Sequence, residues 1–205
     1  MNALEAQEIP CVDRAGPDLF SQPEVLLLLS ALAITAGIDE FIGSHHNPKS
    51  LPERIRSVLG CEPKPDLVFH AAADAVRRAG LVFDPRTESR LSSAATAIHE
   101  RISEDRAPNP SLVRSLRSAG LRNFLTANNL LRRVFPQKIY HQLLAEAEVN
   151  AWDIGSGRGQ TALFHLGALS RLITGLETPG WTSVNDYRWQ IIGLCQYGAE
   201  EGRLE

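Results

Sequence analysis

Three glycines at alternate positions, Gly155, Gly157 and Gly159, follow Asp153 and lie between two apolar stretches. Inside a helix each costs about 1 kcal/mol relative to alanine. Their clustering therefore marks a place where the backbone turns tightly or comes close to something else. Asn150 to Ile154 reads as a strand, Thr161 to Leu169 as a helix, and Arg171 to Glu177 as a second short strand, apolar, partly β-branched and ended by an acid. A strand, a glycine-rich turn, a helix and an acid-terminated strand are how a doubly wound α/β sheet builds a nucleoside-binding crevice. Main-chain amides of the turn reach the ligand, and a carboxylate accepts hydrogen bonds from two vicinal hydroxyls. On this reading Asp153, Gly155, Ser156, Gly157, Gly159 and Gln160 shape one side of a site and Glu177 the other.

The pattern Asp-x-Gly-x-Gly-x-Gly over 153–159 resembles the first motif of class I S-adenosylmethionine-dependent methyltransferases. Glu177, 24 residues beyond Asp153, sits where that family carries its second-strand acid. The longer run Asp153-Ile-Gly-Ser-Gly-Arg-Gly-Gln160, preceded by Ile139-Tyr-His-Gln-Leu-Leu, is similar to the non-SET histone-lysine methyltransferases. The likeness covers residues 135–180; residues 1–134 resemble no family. It implies S-adenosylmethionine as cofactor, with Asp153, Gly155, Gly157 and Gly159 at its methionine part and Glu177 on its ribose. It also implies methyl transfer to a protein lysine by in-line displacement at the sulfonium carbon, a reaction that rests on orienting the nucleophile. The family's Asn/Asp-Pro-Pro-Tyr-like element has no counterpart: Asn47-Pro48 and Asn109-Pro110 are not followed by proline and an aromatic. Only 46 residues follow Gly159, too few to complete such a sheet in the usual order, so the chain looks truncated against that family and no catalytic residue is assigned.

The elements that must position these residues read as helical almost throughout. Pro23 suits the first turn of an apolar helix running to Gly37 or Phe41. Residues 43–52 read as a loop, and short helices follow over 52–59 and 65–80, the second stopped by Gly80. A polar amphipathic helix over 87–104 carries Leu91, Ala95, Ile98 and Ile102 on one side. Pro108-Asn109-Pro110 marks an internal boundary, after which helical periodicity returns in 111–119, 122–134 and 138–148, and a last helix spans about 183–199. The expected architecture is α/β: a helical N-terminal region (1–108), then a helical lead-in and the opening β-α-β unit of a Rossmann-like sheet (109–205). The alternative is an all-α domain in which the glycine turn is a plain helix entrance and Asp153 its N-cap, worth roughly 1 kcal/mol.

The net charge of −3 argues against bulk attraction to nucleic acid or membrane, but it averages two unlike regions. Residues 1–48 carry seven acids against Arg14 alone. Residues 106–145 carry Arg106, Arg114, Arg117, Arg122, Arg132, Arg133 and Lys138 with no acid at all. This second stretch suits an acidic protein surface or a phosphate backbone, or forms solvated helix faces that pair with the acidic N-terminal segment. A non-enzymatic helical protein that docks an acidic partner through that basic face is the second functional expectation. Cys11, Cys61 and Cys195 are few, odd in number and widely spaced, as free thiols in a reducing compartment are. The acidic start lacks the basic region of a secretory signal, and the apolar run in 25–37 is short of a membrane span. The chain is expected to be intracellular, cytoplasmic or nuclear, without a membrane partner. His45-His46 reads as a solvated loop pair rather than a metal site, since Cys61 is the sole nearby candidate ligand. His70, His99, His141 and His165 fall on separate helical segments, and no metal is expected. Trp181, Tyr187, Trp189 and Tyr197 either line a pocket or pack a core.

Overall fold

A helix with no polar face is stable only where other elements cover it on all sides. Helix α1 (Pro23–Thr35) is such a helix: Val25 to Ala33 are all buried, including five leucines. In the computed structural model, which describes residues 18–43, 50–104, 134–153, 155–176 and 184–201, α1 forms the axis of a helical bundle. Around it pack α3 (Pro65–Arg78), α4 (Pro85–Glu104), α5 (Pro136–Glu146), α6 (Gly157–Leu176) and α7 (Val184–Glu201). Helix α2 (Leu51–Leu59) joins the outside of α3 and α7. Each fully buried leucine of the axis contributes roughly 1.5–3 kcal/mol relative to an exposed one, which makes α1 the main source of core stability.

The surrounding helices bury one stripe each. Val68, Phe69, Ala72, Ala73 and Val76 face inward from α3, Leu91, Ala95, Ile98 and Ile102 from α4, and Ala162, Leu166, Leu169 and Ile173 from α6. The alanines let α3 and α4 approach the axis closely. Helix α1 stops in a Schellman turn: Gly37 adopts φ 64°, its N–H donates to Ile34 O, and the Ile38 N–H donates to Ala33 O at 3.0 Å. Gly80 ends α3 in the same way, with φ 81°. Two hydroxyls buried on α1 are satisfied within the helix: Ser30 Oγ donates to Leu27 O and Thr35 Oγ1 to Leu32 O. Tyr140 Oη donates to Leu166 O at 2.7 Å and ties α5 to α6, while Tyr187 Oη and Thr35 Oγ1 lie 2.5 Å apart and tie α7 to the end of α1. One continuous apolar core contains residues from α1 to α7.

The expected α/β architecture is not formed. Among the described residues every regular element is a helix and there is no strand. Val149–Ala151, which overlaps the start of the expected first strand (150–154), is a single 3-10 turn, and Arg171 to Leu176, the described part of the expected second strand (171–177), continues α6. The inward spacing of Ala162, Leu166, Leu169 and Ile173 runs unbroken from the expected helix into the expected second strand, with a helical period of three to four. Read alone, 171–177 is a short apolar run whose type periodicity does not decide; read with the ten residues before it, it is the last part of a buried helical stripe. The all-α alternative fits.

Candidate functional site

The glycine-rich turn is the entrance to α6. Asp153 Oδ1 accepts from the Gly155 N–H at 2.8 Å, and Asp153 O accepts from Ser156 N at 3.2 Å and from Ser156 Oγ at 2.9 Å. Ser156 Oγ in turn accepts from the Gly159 N–H at 3.1 Å, the bond of an N-cap serine to the third residue of its helix. The N-cap is Ser156, three residues beyond the expected Asp153, which instead makes the preceding Asx turn. Gly159 is buried because the backbone comes close to itself: a Cβ there would stand 1.9 Å from Asp153 O. Gly157 faces open space, with no atom within 4 Å of a Cβ added to it.

The sequence-derived site residues therefore come together in part. Asp153, Gly155, Ser156, Gly157, Gly159 and Gln160 share one turn; Asp153, Gly155, Gly157 and Gln160 are exposed and Ser156 is half-buried. Glu177 lies outside the described residues. The amides of Gly155, Ser156, Gly159 and Gln160 all have acceptors inside the turn, Gln160 donating to Ser156 O at 3.1 Å. Among the described residues no sheet lies beneath the turn, and none of them forms with it a switch-point crevice of the kind that holds a dinucleotide or nucleoside. The close approach that required glycine is to the chain's own carbonyl.

Two features escaped the sequence reading. The first is an acid–imidazole pair sealed in the bundle: Glu24 Oε1 lies 2.6 Å from His165 Nδ1, with the two residues only 4% and 6% exposed. The pair joins the first turn of α1 to the middle of α6, and its burial gives it a structural role in holding those helices in register. The second is a cleft of about 190 Å³ between the 38–42 segment and α7. Ile38, Phe41, Ile192 and Cys195 line it as an apolar wall, and Asp39, Glu40 and Arg188 supply its charges. Burial pushes the Cys195 thiol well above its usual range, so it serves as an apolar surface and not as a nucleophile.

The chain matches no family model, no curated protein and no solved structure.

The other sequence candidates divide between core, surface and segments outside the described residues. Tyr187 is buried in the core, and Trp189, two positions on, is 69% exposed. Trp181, His45, His46, Cys11, Arg106, Arg114, Arg117, Arg122, Arg132 and Arg133 lie outside the described residues, and Lys138 is exposed on α5. His70 bonds Glu88 at 2.7 Å, and His99 lies 3.4 Å from Thr35 O. No group of three or more histidines, cysteines or acids among the described residues is placed to hold a metal ion. No helix among them is long and apolar enough to cross a membrane.

Proposed function

We propose that this chain is a non-enzymatic helical interaction protein whose acid-free segment engages an acidic protein surface. The observation that supports the reading is the charge of that segment, seven cations and no acid over 106–145, most of it between two described helices. Arg90, near the start of α4, pairs with Glu148 at 2.8 Å and Glu146 at 3.3 Å, both just at the end of α5, and Thr87 Oγ1 donates to Glu148 at 3.1 Å. Helices α4 and α5 therefore run antiparallel, and the end of α4 and the start of α5 face the same end of the bundle. The chain between them, together with Lys138 on α5, holds all seven cations of the acid-free stretch. A run of like charge in the sequence attracts an oppositely charged partner at long range, and that attraction weakens with salt.

The test is anisotropy of a labelled oligoglutamate peptide titrated with the intact chain. Saturable binding is expected, falling steeply with added salt and about ten-fold weaker in Arg114→Glu/Arg117→Glu/Arg122→Glu, a loss of about 1.4 kcal/mol. Binding that ignores salt, or no binding at low ionic strength, defeats the proposal. A saturable thermal shift with S-adenosylmethionine that Gly157→Ala weakens would overturn it in favour of methyl transfer.

A further inference from the structure

The cleft beside α7 carries charges opposite to those of the acid-free segment and is built differently. Its volume, about 190 Å³, is below the roughly 300–1,000 Å³ of sites that enclose a cofactor or small-molecule ligand. It has room for one large side chain, which is how a protein partner anchors at the centre of an interface. Phe41 and Cys195, each 3% exposed, close its inner end.

Its surroundings point to what enters. Asp39 and Glu40 are exposed at the mouth, and neither forms an ion pair or hydrogen bond with a described residue. Lys64, the described cation on which Glu40 acts, is itself paired with Glu62 at 2.9 Å. Arg188 is the counter-charge among the lining residues, which leaves the mouth with a net negative balance. Two large apolar side chains stand exposed beside the opening, Ile42 at 65% and Trp189 at 69%. Trp189 lies three residues before Ile192 and seven before Gln196, both lining residues, so helical geometry puts it on the adjacent stripe. Exposed apolar groups around a concave, charge-rimmed opening are the surface pattern of a binding patch.

We infer that this cleft is a docking pocket for a protein segment that presents one aromatic or branched apolar side chain beside a basic residue. The apolar side chain fills the space over Phe41 and Cys195, and the basic neighbour meets Asp39 and Glu40. The site shares no residue with the acid-free segment and gives the protein a second docking surface of opposite sign.

The experiment uses the intact isotope-labelled chain and records backbone amide shifts on addition of N-acetyl-Arg-Phe-Arg amide, N-acetyl-Arg-Ala-Arg amide or N-acetyl-Glu-Phe-Glu amide. Saturable shifts confined to 38–42 and 188–196 are expected with the first peptide, and about ten-fold weaker ones with the other two. Asp39→Asn/Glu40→Gln, two exposed positions, weakens the first peptide by about the same factor, and Ile192→Phe, which fills the cleft, abolishes its effect. Unchanged amide shifts around Tyr140 and Leu166 verify that both variants stay folded. Arg114→Glu/Arg117→Glu/Arg122→Glu leaves this binding intact, which separates it from the oligoglutamate site. No shift with any peptide, or equal shifts with the acidic one, overturns the inference. So does movement of the same amides on simple dilution, which would make a second copy of the chain the occupant.

Discussion

Gly159→Ala and Gly157→Ala, two residues apart in one motif, are expected to change stability in opposite directions. At Gly159 an added methyl would lie 1.9 Å from Asp153 O and 2.8 Å from its carbon, both below the 3.0 Å that real contacts respect. The blocking atoms are backbone, so the turn itself has to open. Opening it strains the Ser156 cap and the two bonds that Ser156 makes to Asp153 O. Overpacking of this kind costs about 1–3 kcal/mol, and loss of the cap about 1 kcal/mol more. The intrinsic preference of alanine for a helix returns about 1 kcal/mol. The net expectation for Gly159→Ala is a loss of about 2 kcal/mol, or roughly 4–8 °C in Tm for a chain of this size. Gly157 has free space around it and no positive φ, so alanine there stabilises by about 0.4–1 kcal/mol through the unfolded chain and helix propensity. Urea unfolding followed by far-ultraviolet circular dichroism measures both variants. A Gly157→Ala protein as unstable as Gly159→Ala would refute the structural account of the turn, as would a Gly159→Ala protein of unchanged stability.

Ser156→Ala removes the cap acceptor of α6 and is expected to lower stability by about 1 kcal/mol in the same assay, whereas Gln160→Ala, exposed, is expected to change little. Glu24→Leu or His165→Leu alone strands a buried polar partner and should cost about 3 kcal/mol or more, while the double leucine variant should recover much of it. Strictly additive losses in that cycle would show that the two groups are not coupled. In acid, the hydrogen bond from Arg90 and then that from Thr87 hold the Glu148 carboxyl below its ordinary value of 4.5. Its contribution is therefore present above that pH and disappears as pH falls through the lowered value, so Glu148→Gln should flatten the acid limb of a stability–pH curve. In alkali the sign reverses. Burial raises the Tyr140 and Tyr187 phenols above their ordinary value of 10, so stability is complete below that pH and declines above it. Phenolate absorbance should show these two of the three tyrosines ionising only as the protein unfolds.

Much of the helical framework was legible. Pro23, Pro65 and the stops at Gly37 and Gly80 bound α1 and α3 closely to where their spacing put them, because a proline at a first turn and a glycine with positive φ act within a few residues. The apolar run of α1 was readable as a buried helix, since no amphipathic surface helix lacks a polar side. The expected helices in 111–134 lie outside the described residues. The misreading of 171–177 came from taking a short segment apart from the stripe that precedes it. Ile173 and Leu176 look like strand residues alone and like the last turns of a helix beside Leu166 and Leu169. The close approach read from the glycine pattern is found at Gly159, where the near atom is Asp153 O, whereas Gly157 faces open space.

What the local order of residues determined is therefore a set of helices, the glycine stops of two of them, and a stretch of cations without an acid. Each depends on interactions within a turn or two, or on composition alone. Only the tertiary structure decided that Glu24 meets His165, that Thr35 meets Tyr187, and that Ile38 to Phe41 face Ile192 and Cys195 across a cleft. These pairs are far apart in the chain, and they form because the apolar axis α1 must be covered on every side. The covering helices bring their polar residues with them, and no local spacing announces which of those will meet.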